Sequence, residues 1–221
     1  MKLILFLLSF TLLHGCQGAA GKFSDTNMMQ QEIIQYVNNN DVKAVKELLS
    51  EGVDVNTQDE RNRSLLLIAT VNQDVAMAEL LVAEGADVNM QADNLDSPFL
   101  YAGASGQTDL VKLYLENGAR FDVFNRYNGS ALIPACERGH IETVQLLVDT
   151  KDFPIDHVNN LGWTALLEAI VLGDGSETYQ TIVQILKDGG ADLQIADKDG
   201  KTPLQLAQER GFTEIARVLQ D

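Results

Sequence analysis

The hexapeptide EGADVN at residues 84–89 decides the fold of this 221-residue chain, because related hexapeptides recur at an almost constant spacing. The other copies read EGVDVN at 51–56, NGARFD at 117–122 and GGADLQ at 189–194. A second marker, a serine or threonine before an apolar run, repeats in step with the first. These residues are separated by 33, 33, 34 and 38 positions, and they are Ser64, Ser97, Ser130, Thr164 and Thr202. Two independent markers with one period indicate a chain of stacked repeats.

Each repeat predicts a helix, a turn, a second helix and a hairpin loop. A serine or threonine before the apolar run is suited to cap the first helix, and Pro98 and Pro203 follow at the first helical position, where a missing N–H costs little. The second helix has apolar residues at helical spacing, as in Val144, Leu147 and Val148. Because neither helix can bury its apolar face alone, the units are expected to stack into a solenoid.

These motifs resemble the ankyrin repeat family over about residues 27–221. The resemblance rests on DGKTPLQLA at 199–207, RGHIETVQLLV at 138–148 and EGADVN at 84–89. It implies an all-α fold, an ankyrin-repeat solenoid of about six helix-turn-helix units joined by β-hairpin loops. The predicted units are 27–58, 59–91, 92–124, 125–158, 159–196 and 197–221.

Three departures from the family pattern carry structural expectations. The histidine that usually follows Thr-Pro-Leu is absent, which predicts a more apolar first helix; its positions hold Leu67, Leu100, Ile133, Leu167 and Gln205. Leu95 occupies a turn position that asparagine or glycine fills in the other units, so its hairpin should be strained or rearranged. The fifth unit has about five extra residues, within GDGSETYQ at 173–180. They form either a lid beside the binding site or a surface insertion.

The N-terminus predicts a cleaved signal peptide over residues 1–15. Its apolar run, LILFLLSFTLL at 3–13, has no charge and is too short for a bilayer core that needs roughly 20 helical residues. The stretch LHGC at 13–16 resembles the lipobox of bacterial lipoproteins, which implies cleavage before Cys16 and acylation of Cys16. In the alternative, the signal is an ordinary one and Cys16 has no role.

Residues 16–26 are then expected to be the lipidated cysteine and a tether, which reaches at most about 35 Å when extended. Gln17 after the cysteine resembles the sorting choice for the outer membrane. We therefore expect the protein on the periplasmic face of the outer membrane, with a partner that comes close to the membrane.

Charge and cysteine content limit the classes of partner. The formal net charge is -16, and it becomes -17 without Lys2. Because binding to phosphate backbones depends on Lys and Arg, we expect no nucleic-acid partner and membrane attachment only through acyl chains. The chain has two cysteines, Cys16 and Cys136, so lipidation of Cys16 leaves no internal disulfide. We expect a monomer.

No constellation in the sequence predicts catalysis, a metal or a cofactor. His140 and His157 lack the spacing of metal ligands. Cys136 stands where the family has a small buried residue, and it is interpreted as a core residue rather than a nucleophile. We therefore predict that the protein is not an enzyme.

The resemblance places ligands on the concave face, at the hairpin tips and the ends of the first helices. Carried over by position, the predicted protein-binding residues include types that are enriched in binding hot spots. They are Arg61, Arg63, Tyr127, Arg138, Leu161, Trp163, Val171 and Leu172. In the alternative for Trp163, its ring packs on the next hairpin.

These features predict a lipid-anchored periplasmic ankyrin-repeat protein that binds another protein. One concrete version is an inhibitor or immunity protein against a toxin or enzyme that acts in the periplasm. An envelope scaffold that joins endogenous proteins is the structural alternative. A periplasmic hydrolase would require clustered carboxyl groups with perturbed pKa values. A cytosolic regulator would be excluded by acyl chains on Cys16.

Overall fold

The computed structural model of the chain describes residues 17–220, with side chains described from residue 27 onward. This part of the chain folds into six consecutive pairs of α-helices, and its one extended pairing is an isolated bridge between Gln58 and Ser64. The helices are α1 Gln17–Asn38, α2 Val42–Ser50, α3 Leu65–Val71, α4 Val75–Ala83, α5 Pro98–Ala104, α6 Thr108–Glu116, α7 Leu132–Glu137, α8 Ile141–Val148, α9 Ala165–Val171, α10 Glu177–Asp188, α11 Pro203–Glu209 and α12 Thr213–Gln220. The predicted all-α solenoid of about six helix pairs is confirmed.

The helices form two layers. In one layer, α1, α3, α5, α7, α9 and α11 pack in succession, and in the other α2, α4, α6, α8, α10 and α12 do the same. Both layers contribute to one continuous apolar core. The prediction of apolar first helices is confirmed in four units, where Leu67, Leu100, Ile133 and Leu167 are all buried.

The predicted N-caps form in four of the five units that carry the serine or threonine marker. Each side-chain oxygen accepts a hydrogen bond from the backbone N–H three residues later, which satisfies a donor that the helix itself leaves free. These caps are Ser64, Ser97, Thr164 and Thr202. Pro98 and Pro203 begin their helices, as predicted.

The fourth unit departs from this capping pattern, and Ser130 is not the cap that the sequence predicts. In the other units the fourth residue after the marker donates its N–H to the marker's carbonyl, for example Ile68 to Ser64 at 2.9 Å. Pro134 stands at this position and has no N–H to donate. The helix α7 therefore begins only at Leu132, and the buried Ser130 hydroxyl has no hydrogen-bond partner.

Each hairpin that precedes a first helix is closed by the same backbone hydrogen bonds. In four of them a side-chain oxygen of the first turn residue also accepts two backbone N–H groups; these residues are Asp59, Asn125, Asn159 and Asp197. The third unit has Ala92 there, so it lacks this support. Its turn nevertheless forms, with Leu95 at φ 62°. The structure thus decides between the two expectations for this hairpin: its backbone is strained rather than rearranged.

The segment with the extra residues of the fifth unit is partly packed: Gly173 is buried, whereas Asp174, Ser176 and Glu177 are exposed. From Glu177 onward the segment lengthens α10 to 12 residues, whereas the other second helices have eight or nine. The Tyr179 hydroxyl donates a hydrogen bond to the Glu137 carbonyl at 2.7 Å, across to the preceding unit. The segment therefore braces the end of α7.

The described part of the predicted N-terminal tether is helical. Residues 17–26 form the first part of α1, which continues without a break to Asn38. The segment contains no proline that would interrupt the helix. As a helix, ten residues span about 15 Å, which is less than half of the extended reach.

Candidate functional site

A groove of about 410 Å³ lies across the middle units, between the ends of α5, α7 and α9 and the hairpins that precede α7 and α9. Tyr101 of α5, Pro134 of α7 and Glu168 of α9 contribute one side chain from each helix. Tyr127 and Leu161 contribute the two hairpin tips. This is the region in which the resemblance places a ligand.

Three exposed apolar side chains form what we call the apolar rim of the groove: Tyr127, Leu161 and Leu172. They are 51, 47 and 47% exposed, respectively. The two hairpins that carry Tyr127 and Leu161 are tied together, because the Asn160 N–H donates to the Tyr127 carbonyl at 2.9 Å. Two of the three rim residues therefore lie on hairpins that are joined by a hydrogen bond.

Glu168 is a buried acid within the groove, with only 4% of its surface exposed. Its Oε1 accepts a hydrogen bond from Asn159 Nδ2 at 2.8 Å. The Oδ1 atom of Asn159 accepts the backbone N–H groups of Leu161 and Trp163, at 2.9 and 3.1 Å. The hairpin turn thus fixes the orientation of the amide, and the amide in turn positions Glu168.

The environment of Glu168 favours its protonated form. The pKa of the carboxyl group is raised from an ordinary 4.5 to about 7, mainly by burial. The negative charge of Glu137 contributes to this rise, and the hydrogen bond from Asn159 opposes it. Burial and the charge of Glu168 in turn hold the pKa of Cys136 well above its usual value, so this fully buried thiol is a core residue.

The arginines near the groove make contacts of their own. Arg138 Nη1 donates to the Ala104 carbonyl at 2.6 Å, which connects α7 to α5. The Arg126 guanidinium lies 4.8 Å from the centre of the Tyr127 ring. Burial raises the pKa of the partly buried Asp96, against the opposing charge of Arg126.

A second groove, of about 400 Å³, lies on the N-terminal side of the first and shares Asp96 and Tyr101 with it. Arg61 and Arg63 line this second groove. The Arg63 Nε atom donates to Asp59 Oδ2 at 2.7 Å within the same hairpin. The Arg63 side chain is therefore held by its own turn.

The predicted binding residues are divided between these places. Tyr127, Arg138, Leu161 and Leu172 line the first groove, and Arg61 and Arg63 line the second. Trp163 and Val171 are half-buried and lie outside both linings. The Val171 carbonyl accepts a hydrogen bond from Arg210 Nη1 at 2.7 Å. The binding role of all eight residues stays a prediction.

Sequence reasoning missed Glu168 and Asn159. A signal was nevertheless available, because the five marker-led first helices can be aligned. The fourth residue after the marker is glutamate only in α9, and its counterparts are Ile68, Tyr101, Pro134 and Leu206. Because this position is uncharged in the other four units, the single acid, Glu168, indicates the site.

Two further properties concern only the described residues. Among residues 27–220, whose side chains the structure describes, no three His, Cys, Asp or Glu side chains lie together in a group that could hold a metal ion. No helix in this range is both long and apolar enough to cross a membrane. Cys16, the predicted lipidation site, lies outside the described residues.

Comparisons with known proteins agree with the architecture. The family model for ankyrin repeats (3 copies) matches residues 33–125 and 99–197. The ankyrin repeat protein YahD of Escherichia coli strain K12 is 40% identical over 179 residues, which are 81% of this chain and 89% of YahD. An ankyrin repeat domain from Acinetobacter baumannii AYE superposes with a TM-score of 0.83 at 45% identity, covering 86% of this chain and 96% of that domain. The ankyrin repeat protein EF0377 gives the same TM-score and coverage at 40% identity.

Proposed function

Since this chain belongs to the ankyrin repeat family, we propose that it acts by binding another protein, which it holds in the groove between α5, α7 and α9. The apolar rim carries this proposal, because three large apolar side chains stand half exposed around one concavity. Clustered exposed apolar surface is typical of interaction sites. Tyrosine and arginine, here Tyr127 and Arg138, are enriched among residues whose truncation costs about 2 kcal/mol or more of binding energy.

The rim can be tested with a matched pair of substitutions. Leu161→Asp places a charge on the rim, whereas Val75→Asp does the same at a comparably exposed aliphatic residue on α4 (47% and 41% exposed). Each variant serves as bait in a pull-down from envelope extract, and mass spectrometry identifies the retained proteins. We expect Leu161→Asp to lose a partner that Val75→Asp retains. Equal retention by both baits would exclude the rim as the binding surface.

Trp163 requires a separate test, because it shares a hairpin with Leu161 but lies outside the groove lining. A photo-reactive amino acid at position 163 reports whether the partner reaches this side of the hairpin. The matched control is the same amino acid at Glu79, an exposed position on α4. A cross-link at 163 and none at 79 would extend the binding surface to Trp163. The absence of a cross-link at 163 would confine it to the groove.

The location of the protein is a second part of the proposal. The resemblance of LHGC at 13–16 to a lipobox supports acylation of Cys16 and retention at the periplasmic face of the outer membrane. Because residues 17–38 are helical, a helix would connect Cys16 to the repeats. Labelling with a clickable fatty acid should mark the wild type and not Cys16→Ser. A wild type without label would contradict the anchor.

The identity of the partner distinguishes the proposed roles. An inhibitor or immunity protein would retain a toxin or an enzyme that acts in the periplasm, and the activity of that partner would fall when the complex forms. A scaffold would retain endogenous envelope proteins in every growth state. We favour the inhibitor, because a protein that occludes one partner needs only one binding groove, such as the groove between α5, α7 and α9.

One observation bears on the hydrolase alternative. Glu168 and Asp96 both line the groove, and burial raises the pKa of each. Perturbed carboxyl groups occur at binding sites as well as at catalytic ones. The matches to ankyrin repeat proteins indicate no catalytic family. We therefore assign these acids to recognition. A hydrolase would release product from a panel of envelope substrates, and Glu168→Gln would abolish that release.

A further inference from the structure

Glu168 lies where the repeat architecture itself requires no charge. The four equivalent positions hold Ile68, Tyr101, Pro134 and Leu206, and each of their units forms the same helix pair. Burial of an ionisable acid opposes folding unless the acid is paired. The fold therefore does not explain the glutamate, and its position within the groove points to a ligand.

The described part of the chain leaves this acid without a cation. Glu168 forms no ion pair there, and the one hydrogen bond of its carboxyl group is the bond from Asn159 to Oε1. The two arginines that line the groove make other contacts, Arg138 with the Ala104 carbonyl and Arg126 with the Tyr127 ring. One oxygen of a side chain that is 96% buried is thus free to accept a donor from within the groove.

We propose that Glu168 binds a basic side chain, an arginine or a lysine, which the partner protein inserts into the groove. This inference rests on the proposed function, because it assumes that the partner is a protein held at the apolar rim. A guanidinium or ammonium group would form a charge-assisted hydrogen bond with the free oxygen. Its apolar stem would contact Tyr127 and Leu172 at the rim. The net charge of -16 favours the approach of a basic segment.

Small probes test the chemistry without the natural partner. The full-length protein, purified in detergent, is titrated with the Nα-acetyl amides of arginine, lysine and citrulline, the last of which is a nearly isosteric, neutral analogue of arginine. NMR follows the side-chain amide of Asn159, which contacts Glu168. We expect saturable shifts with one or both basic amino acids. Citrulline, or Glu168→Gln titrated with the basic probe, should bind about tenfold more weakly or worse. Glu79→Gln is the charge-matched control and should bind as the wild type does.

Comparison of the affinities of the arginine and lysine probes identifies which basic group the groove accepts. Citrulline binding equal to that of arginine would overturn the proposal. The absence of a saturable shift, or basic-probe binding by Glu168→Gln within about twofold of wild type, would do the same.

The pull-down separates this inference from the function on which it rests. A partner lost with Leu161→Asp and retained with Glu168→Gln would contradict the role of Glu168 while the binding function stands. A partner retained with both variants would contradict the proposed groove itself.

Discussion

The helices α3 and α9 occupy equivalent places in two units, yet they differ sharply at one residue. Their third positions, Leu67 and Leu167, are both buried leucines. Their fourth positions are Ile68, which is 1% exposed, and Glu168, which is 4% exposed. Burial is therefore almost identical, whereas one side chain is apolar and the other is an acid. In this solenoid the apolar residues that recur in the units form the fold. The acid that occurs at this position in one unit only, Glu168, indicates the candidate site.

The largest effect on stability is expected from truncation of Leu167, the position at which both helices have a buried leucine. Truncation of a fully buried leucine removes apolar contacts and leaves a cavity, which typically costs about 2–5 kcal/mol. We expect Leu167→Ala to lower the free energy of unfolding by this amount, as measured by urea denaturation. Leu204→Ala, at a half-buried residue of α11, is the control and should cost less. A loss below about 1 kcal/mol at Leu167 would show that the first-helix layer is not tightly packed.

Substitution of the neighbouring residue, Glu168, should instead raise the free energy of unfolding. Between pH 4.5 and about 7 the folded protein binds more protons at Glu168 than the unfolded chain does, because its pKa is raised on folding. This group therefore makes stability fall as the pH rises through that window. We expect Glu168→Gln to raise the free energy of unfolding by about 2 kcal/mol at pH 8, less than the full pKa shift corresponds to because solvent screens part of the effect, with little gain at pH 4.

Thermal or urea unfolding of Glu168→Gln at several pH values checks this expectation, with Glu79→Gln as the control at an exposed glutamate of α4. The stability difference between wild type and the control variant should not follow the same window. A gain at Glu168 that is independent of pH would mean that shape or packing, and not ionisation, distinguishes α9 from α3.

A smaller effect is expected at the hairpin of the third unit. Leu95 adopts φ 62° where the second unit has Asn62 at φ 55°. A branched side chain in this region costs about 1–2 kcal/mol relative to residues that tolerate it. We expect Leu95→Asn to stabilise the protein by about 1 kcal/mol and the reciprocal change, Asn62→Leu, to destabilise it. Equal and negligible effects at both positions would show that the turns relax without strain.

Much of the fold could be predicted from the sequence, because repetition averages out local ambiguity. The period and the serine or threonine markers predict the helix pairs and four of the five caps. The exception is Ser130, because Pro134 has no N–H to donate to its carbonyl. That α7 therefore begins only at Leu132 is seen in the structure and not in the sequence. The helical state of residues 17–26 was missed because they carry no repeat marker.

Less of the candidate site could be predicted. The hairpin tips Tyr127 and Leu161 follow from position within the repeat, and the structure places both on the groove. Trp163 is only two residues further along the same hairpin, and its side chain lies outside that lining. The pairing of Asn159 with Glu168 spans nine residues and depends on how the turn orients the amide. Spacing alone does not encode such an orientation.

The difference between Ile68 of α3 and Glu168 of α9 is tested most directly by measuring the pKa of Glu168 in the unliganded protein. Selective ¹³C labelling of glutamate, with the Glu168 resonance assigned by its absence in Glu168→Gln, allows its carboxyl group to be titrated by NMR. A midpoint at about pH 7 is the result expected for a buried acid that awaits a cationic partner. A midpoint near the ordinary 4.5 would show that Glu168 is solvated like a surface glutamate, and it would remove the physical basis for assigning the site to α9.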